Sequence, residues 1–137
     1  MSNFETINWV KKLEINDFKG VYSRNNLPKI TGCGVLNLDD KTGEGTHWVC
    51  WTSLRKKTFY FDPYGLPPPE EFRSEVLISY NDIQYQHKLS VLCGYFCLFV
   101  LKQIQDYDWY DVLYNQLHPN DRIYNEKLIM SYFKKHV

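Results

Sequence analysis

The chain has 137 residues, 44% of them hydrophobic and 17% aromatic, enough for a sizeable core within one domain. Sixteen basic residues balance sixteen acidic ones, so no global field draws the protein to nucleic acid, and any basic patch would be local, at Lys11 and Lys12 or at Arg55, Lys56 and Lys57. No apolar run is long enough to span a membrane, and residues 1–5 lack the basic-then-apolar order of a signal peptide, so an intracellular, reducing setting is expected.

Phe4, Ile7, Val10 and Leu13 recur at helical spacing and predict a helix over residues 3–13, capped by Ser2 or Asn3. Residues 16–28 are polar and turn-rich, interrupted by Phe18, Val21 and Tyr22. Residues 29–38 read as a strand in which Gly32 and Gly34 admit close backbone approach, and residues 39–45 as a loop. Two β-branched and aromatic runs, 46–52 and 58–62, then form a hairpin. Centred between Leu54 and Arg55, it pairs residues whose numbers sum to 109, which sets His47 opposite Asp62. A slightly different turn would leave the two one diagonal apart, still within reach of each other.

Asp62, Pro63, Tyr64 and Gly65 carry turn chemistry, and the prolines at 67–69 lead into a short helix over residues 70–79. Residues 80–85 read as an edge strand and 86–92 as a loop. The most apolar stretch, residues 89–101, becomes a buried helix starting near Cys93. Two further helices follow, over 106–117 and over 120–136, the second starting at Asn120 or Asp121 with apolar residues at 123, 124, 128, 129, 132 and 133. The expected class is α+β: one domain over residues 1–137, a small central, mostly antiparallel sheet with helices packed around it.

Four cysteines punctuate this pattern. Only Cys93 and Cys97 lie close together, with no second close pair, so a zinc site is not indicated and no metal or cofactor is expected. Cys33 and Cys50 alternate with apolar residues in strands and read as core thiols. Cys97, four residues after Cys93, sits one helical turn on and reads as packing. Cys93 is different because it opens a helix, where unsatisfied N–H groups and the positive dipole end favour a thiolate.

A thiol peptidase needs a nucleophile, a base, a group that orients the base and an oxyanion donor. Cys93 supplies the first, His47 the second and Asp62 the third. Gln86, seven residues before Cys93, supplies a side-chain amide, joined by the Cys93 backbone N–H. Gly94 would let a substrate backbone pass close. Each residue also has an ordinary structural reading: a strand histidine, an Asp–Pro turn former, a solvated loop glutamine, a buried cysteine. His87, His118 and His136 read as surface residues. What tips the balance is the co-occurrence of His, Asp, Gln and Cys-Gly in one order.

That order is also where a family appears. Gly45-Thr46-His47-Trp48, then residues 59–65 (FYFDPYG), then Gln86 with Cys93-Gly94-Tyr95-Phe96-Cys97, closely resemble adenain, the adenovirus maturation protease. They are more distantly similar to the SUMO-deconjugating and related ubiquitin-like proteases. The likeness runs over nearly the whole chain, including Phe18 to Tyr22 and residues 125–136. It implies His47 as base, Asp62 as orienter, Gln86 as oxyanion donor, Cys93 as nucleophile, and Trp48 lining the site beside His47. It further implies cleavage after small, Gly-type residues through a narrow groove, with capsid or virion precursor proteins as polypeptide substrates, at the virion or virus-assembly site of an infected cell. The expected protein acts as a monomer, with no membrane partner.

Three departures qualify the likeness. The carboxylate is Asp62, where adenain has Glu and the ubiquitin-like branch has Asp. Residues 63–85 contain no cysteine to bond an activating peptide. The balanced charge argues against the DNA stimulation of strongly basic adenain. Two other readings stay open: a deconjugating protease for ubiquitin-like modifiers, and a non-enzymatic capsid-associated module.

Overall fold

The computed structural model describes residues 1–38, 47–54, 57–73, 78–87 and 90–137. The expected loop over 39–45, Thr46 and the centre of the hairpin turn therefore lie outside the described residues. Helix α1 (Asn3–Leu13) forms as its spacing predicts, with Ser2 as cap: the Ser2 hydroxyl accepts from the Glu5 N–H at 3.1 Å. Thr6, Val10 and Leu13 make its buried face, while Phe4 and Ile7 stay exposed.

The strands are β1 (Phe18–Ser23), β2 (Cys33–Asn37), β3 (Trp48–Leu54), β4 (Lys57–Phe61) and β5 (Ile78–Tyr80), and they lie side by side in chain order. Strand β1 falls where the sequence suggested only turns. It sits at the sheet edge with no fully buried residue, so it carries no alternation to betray it. The sheet is mixed rather than mostly antiparallel: β2–β3 and β3–β4 are antiparallel, but β1–β2 and β4–β5 are parallel. The short helix α2 (Glu70–Arg73) lies in the connection that brings β5 back parallel to β4. The edge strand expected over 80–85 ends at Tyr80 instead of starting there.

The central hairpin pairs Cys50 with Phe61 and Leu54 with Lys57. Partner numbers thus sum to 111 rather than 109, one residue later in the turn than expected. Continued past the strand ends, this register sets His47 opposite Tyr64 and leaves Asp62 one diagonal away.

Alternation along the strands splits the core between two faces. Leu36, Val49, Trp51, Tyr60 and Phe72 form one cluster. Gly34 serves this face, since a Cβ there would collide with the Trp51 ring. On the other face Cys33, Val35, Trp48, Cys50 and Phe61 meet helix α3 (Cys93–Gln103). Apart from Tyr95, its residues from Cys93 to Leu101 are all buried, as befits a helix apolar on every side. Two thiols stitch it to β3: Cys97 Sγ donates to the Trp48 carbonyl at 3.3 Å, and Cys50 Sγ to the Cys97 carbonyl at 3.8 Å. The α3 N-terminus is thereby held beside the start of β3.

The expected helix over 106–117 is shorter: α4 (Trp109–Asp111), capped by Asp108, runs directly into a π-helical turn, Val112–Gln116. Helix α5 (Arg122–Lys135) is capped by Asp121 and buries Asn125, Ile129 and Phe133, while Ile123 and Tyr124 are exposed. Among the described residues no helix is long and apolar enough to cross a membrane.

Candidate active site

The site is built where three element ends meet. His47 immediately precedes β3, Asp62 immediately follows β4, and Cys93 opens α3. His47 Nε2 lies 2.7 Å from Asp62 Oδ1. Nδ1, the other ring nitrogen, is buried without a fully formed hydrogen bond among the described residues, and the Cys93 sulfur is the remaining group that acts on the ring. The imidazole thus stands between the carboxylate and the thiol. Burial, the largest single influence on it, disfavours the charged ring. Hydrogen bonding and charge from Asp62 and Cys93 together outweigh that, and His47 is raised from 6.5 to about 9.

Asp62 is fully buried. Its Oδ1 also accepts the Tyr64 N–H at 2.7 Å, an Asx turn of the kind that Asp-Pro favours. The turn bond and the contact with His47 therefore meet on the same oxygen. Tyr64 is a site residue that the sequence reading missed: its ring stacks on His47 with centroids 4.5 Å apart. The corrected register would have found it, because 47 and 64 sum to 111 as the paired residues do.

Gln86 is fully buried too, not solvated. Its Nε2 donates to the Ser90 carbonyl at 3.0 Å, and the Tyr64 hydroxyl donates to that carbonyl at 3.3 Å. An amide nitrogen has two hydrogens, so one donor remains after the Ser90 bond. The Asp62 turn and the Gln86 segment are tied together: the Pro63 carbonyl accepts from Tyr85 N–H at 2.9 Å and Gln86 N–H at 3.1 Å. Gly65 allows this approach. It has φ +76°, and a Cβ would stand 2.7 Å from the Ile83 carbonyl carbon and oxygen. Gly65→Ala is expected to lower stability by about 1–3 kcal/mol, read as a fall in the denaturant midpoint. An unchanged midpoint would contradict the strain assigned to this turn.

Cys93 is 4% exposed, and the N-cap residue Leu92 makes no capping side-chain bond, leaving the first turn of α3 uncapped by it. Two expected substrate contacts are placed differently. Trp48 is 3% exposed and packs in the core, so it supports the site from beneath rather than lining a groove. Gly94 is buried under Met1, whose Cε and Sδ would lie 3.2 and 3.3 Å from an added Cβ. The other thiols are packing groups in their geometry: burial pushes Cys33 up to about 12 and holds Cys97 well above 9.0. His87, His118 and His136 are exposed as expected. Among the described residues no three His, Cys, Asp or Glu side chains converge as a metal site.

No protein-family model and no curated protein matches the chain. Solved structures do. The selenomethionine crystal structure of the ASFV pS273R protease superposes with a TM-score of 0.64 at 17% identity, covering 99% of this chain. A second crystal structure of that protease gives 0.62 at 18% identity over 98% of the chain. The chain has the fold of this protease. It spans 66% of the protease's length. A weaker likeness, TM-score 0.49 at 18% identity over 74% of the chain and 47% of the other, is to AvrA delL154 with IP6 and CoA. The shared fold agrees with the α+β class and with the fold that the adenain resemblance implied.

Proposed function

We propose that the chain is a cysteine endopeptidase using Cys93 as nucleophile, His47 as base, Asp62 as orienter and Gln86 as oxyanion donor. The observation that carries this reading is the imidazole held between Asp62 Oδ1 at 2.7 Å and the Cys93 sulfur at a helix N-terminus. The fold shared with the ASFV pS273R protease supports it at the level of a protease.

In the proposed reaction the Cys93 thiolate attacks the scissile carbonyl, and its oxygen becomes an oxyanion. The spare Gln86 Nε2 hydrogen and the α3 first-turn N–H groups stabilise that charge. His47 gives its proton to the leaving amine as the C–N bond breaks, leaving a thioester on Cys93. His47 then takes a proton from water, whose oxygen attacks the thioester, and the C–S bond breaks to release the acid and restore the Cys93 thiolate beside the His47 imidazolium. Asp62 keeps Nε2 aimed, while the stacked Tyr64 ring shields one face of the imidazole.

A thiol that is 4% exposed, with Met1 over the neighbouring Gly94, leaves little room beside the scissile bond. This supports cleavage after small, Gly-type residues. Capsid or virion precursors as substrates rest on the resemblance to adenain. Incubation with a peptide library and mapping of the new termini tests the reading. Cleavage clustered after glycine supports it; a folded protein that cuts nothing, with all thiols reacting slowly with alkylating agents, overturns it in favour of a non-enzymatic module.

A further inference from the structure

Asn81 directly follows β5, and the sequence gives it no motif. It is 4% exposed, yet its amide is fully engaged. Oδ1 accepts from the Asp62 N–H at 3.0 Å, while Nδ2 donates to the Asp62 carbonyl at 2.6 Å and to the Ile83 carbonyl at 3.1 Å. The β4–β5 ladder reaches only as far as the Tyr60–Tyr80 pair. Beyond it, this one side chain takes over the pairing that backbone groups supply in the sheet.

The position matters because Asp62 lies past the end of β4. Apart from the His47 contact its other bonds are local: Oδ1 accepts from the Tyr64 N–H at 2.7 Å and the carbonyl from the Gly65 N–H at 2.8 Å. Its Oδ2 is buried with no hydrogen-bond partner among the described residues, so nothing there fixes the carboxylate through its second oxygen. Aim must come from the backbone. We propose that Asn81 is a positioning residue: by gripping the Asp62 main chain on both sides it keeps Oδ1 on His47 Nε2. The inference rests on the reading of Asp62 as orienter, and it adds the part that holds the orienter still.

The groups acting on His47 are Asp62 after β4 and Cys93 on α3, with Tyr64 stacked on the ring from the turn. Glu126 of α5 acts on Tyr64. Replacing Asn81 alters none of these charges, so a change in His47 titration reports the aim of Asp62 and not a new field.

The experiment is an NMR titration of His47 in the full chain, its resonance identified by loss in His47→Gln, for the wild type and Asn81→Ala. The midpoint, near 9 in the wild type, is expected to fall by about one unit or more in the variant, toward the ordinary 6.5. On a cleavable peptide, kcat should fall by about tenfold or more with KM little changed, since orientation and not binding is lost. A folded Asn81→Ala whose midpoint stays within a few tenths of a unit of wild type overturns the proposal. If that variant does not fold, Asn81→Ser decides by the same criterion, because a hydroxyl cannot span from the Asp62 N–H to its carbonyl. The midpoint is read without substrate. A shifted midpoint in a protein that cleaves nothing would therefore keep the Asn81 inference and sink the peptidase.

Discussion

Cys93→Ala is expected to abolish peptide cleavage and leave the fold standing. The loss should be about 10⁴-fold or more in kcat, down to background, because no other group can form the thioester. The structural cost should be small, about 1 kcal/mol for one missing sulfur, since the apolar residues from Phe96 to Leu101 still bury α3. Cleavage rate and thermal midpoint, measured on the same preparation, separate the two effects. Cys97→Ala provides the contrast. Its thiol bonds the Trp48 carbonyl inside the core, so the expected outcome there is a lower midpoint with cleavage retained. Full activity in Cys93→Ala would remove the nucleophile assignment altogether.

The second large effect concerns the base. His47→Ala should cost nearly as much as losing the thiol, because proton transfer to the leaving amine disappears with it. Asp62→Asn should cost less, and its signature is in pH. Cleavage that needs the imidazolium falls as pH rises through about 9, the value to which Asp62 and Cys93 lift His47 against burial. That limb belongs to the coupled group and not to one residue. Asn at 62 removes the negative charge, while burial still favours the neutral ring, so the alkaline limb must move down toward 6.5. Stability follows the same sign. The contribution of the raised His47 is fully present below pH 6.5 and is lost as pH rises through about 9. An Asp62→Asn profile superimposable on wild type would mean that Asp62 does not act on the base.

How much of this was legible in the sequence depended on how local the signal was. The α1 and α3 patterns, the Asp62 turn and the order of the four proposed site residues could all be read from side-chain type and spacing. The hairpin register could be read only to within one residue, because the turn centre carries no glycine or proline to fix it. That single step hid Tyr64, the residue opposite His47. Strand β1 was missed because an edge strand with a lysine and a glycine near its start has no buried face to imprint a period of two. Trp48 and Gly94 were placed in chain order but not in depth, since burial depends on partners far away in sequence. For Gly94 that partner is Met1, and for Trp48 it is the apolar face of α3.

One carbonyl has a consequence for how the molecule breathes. Pro63 lies next to Asp62, and its oxygen accepts the N–H groups of both Tyr85 and Gln86. The turn that carries the proposed orienter and the segment that carries the proposed oxyanion donor are therefore joined through one atom. A local opening that breaks both bonds to this oxygen parts the Gln86 segment from the Asp62 turn in a single event. Solvent exchange at the Tyr85 and Gln86 amides should then proceed through one shared opening. A ligand that settles either end of the site would protect both.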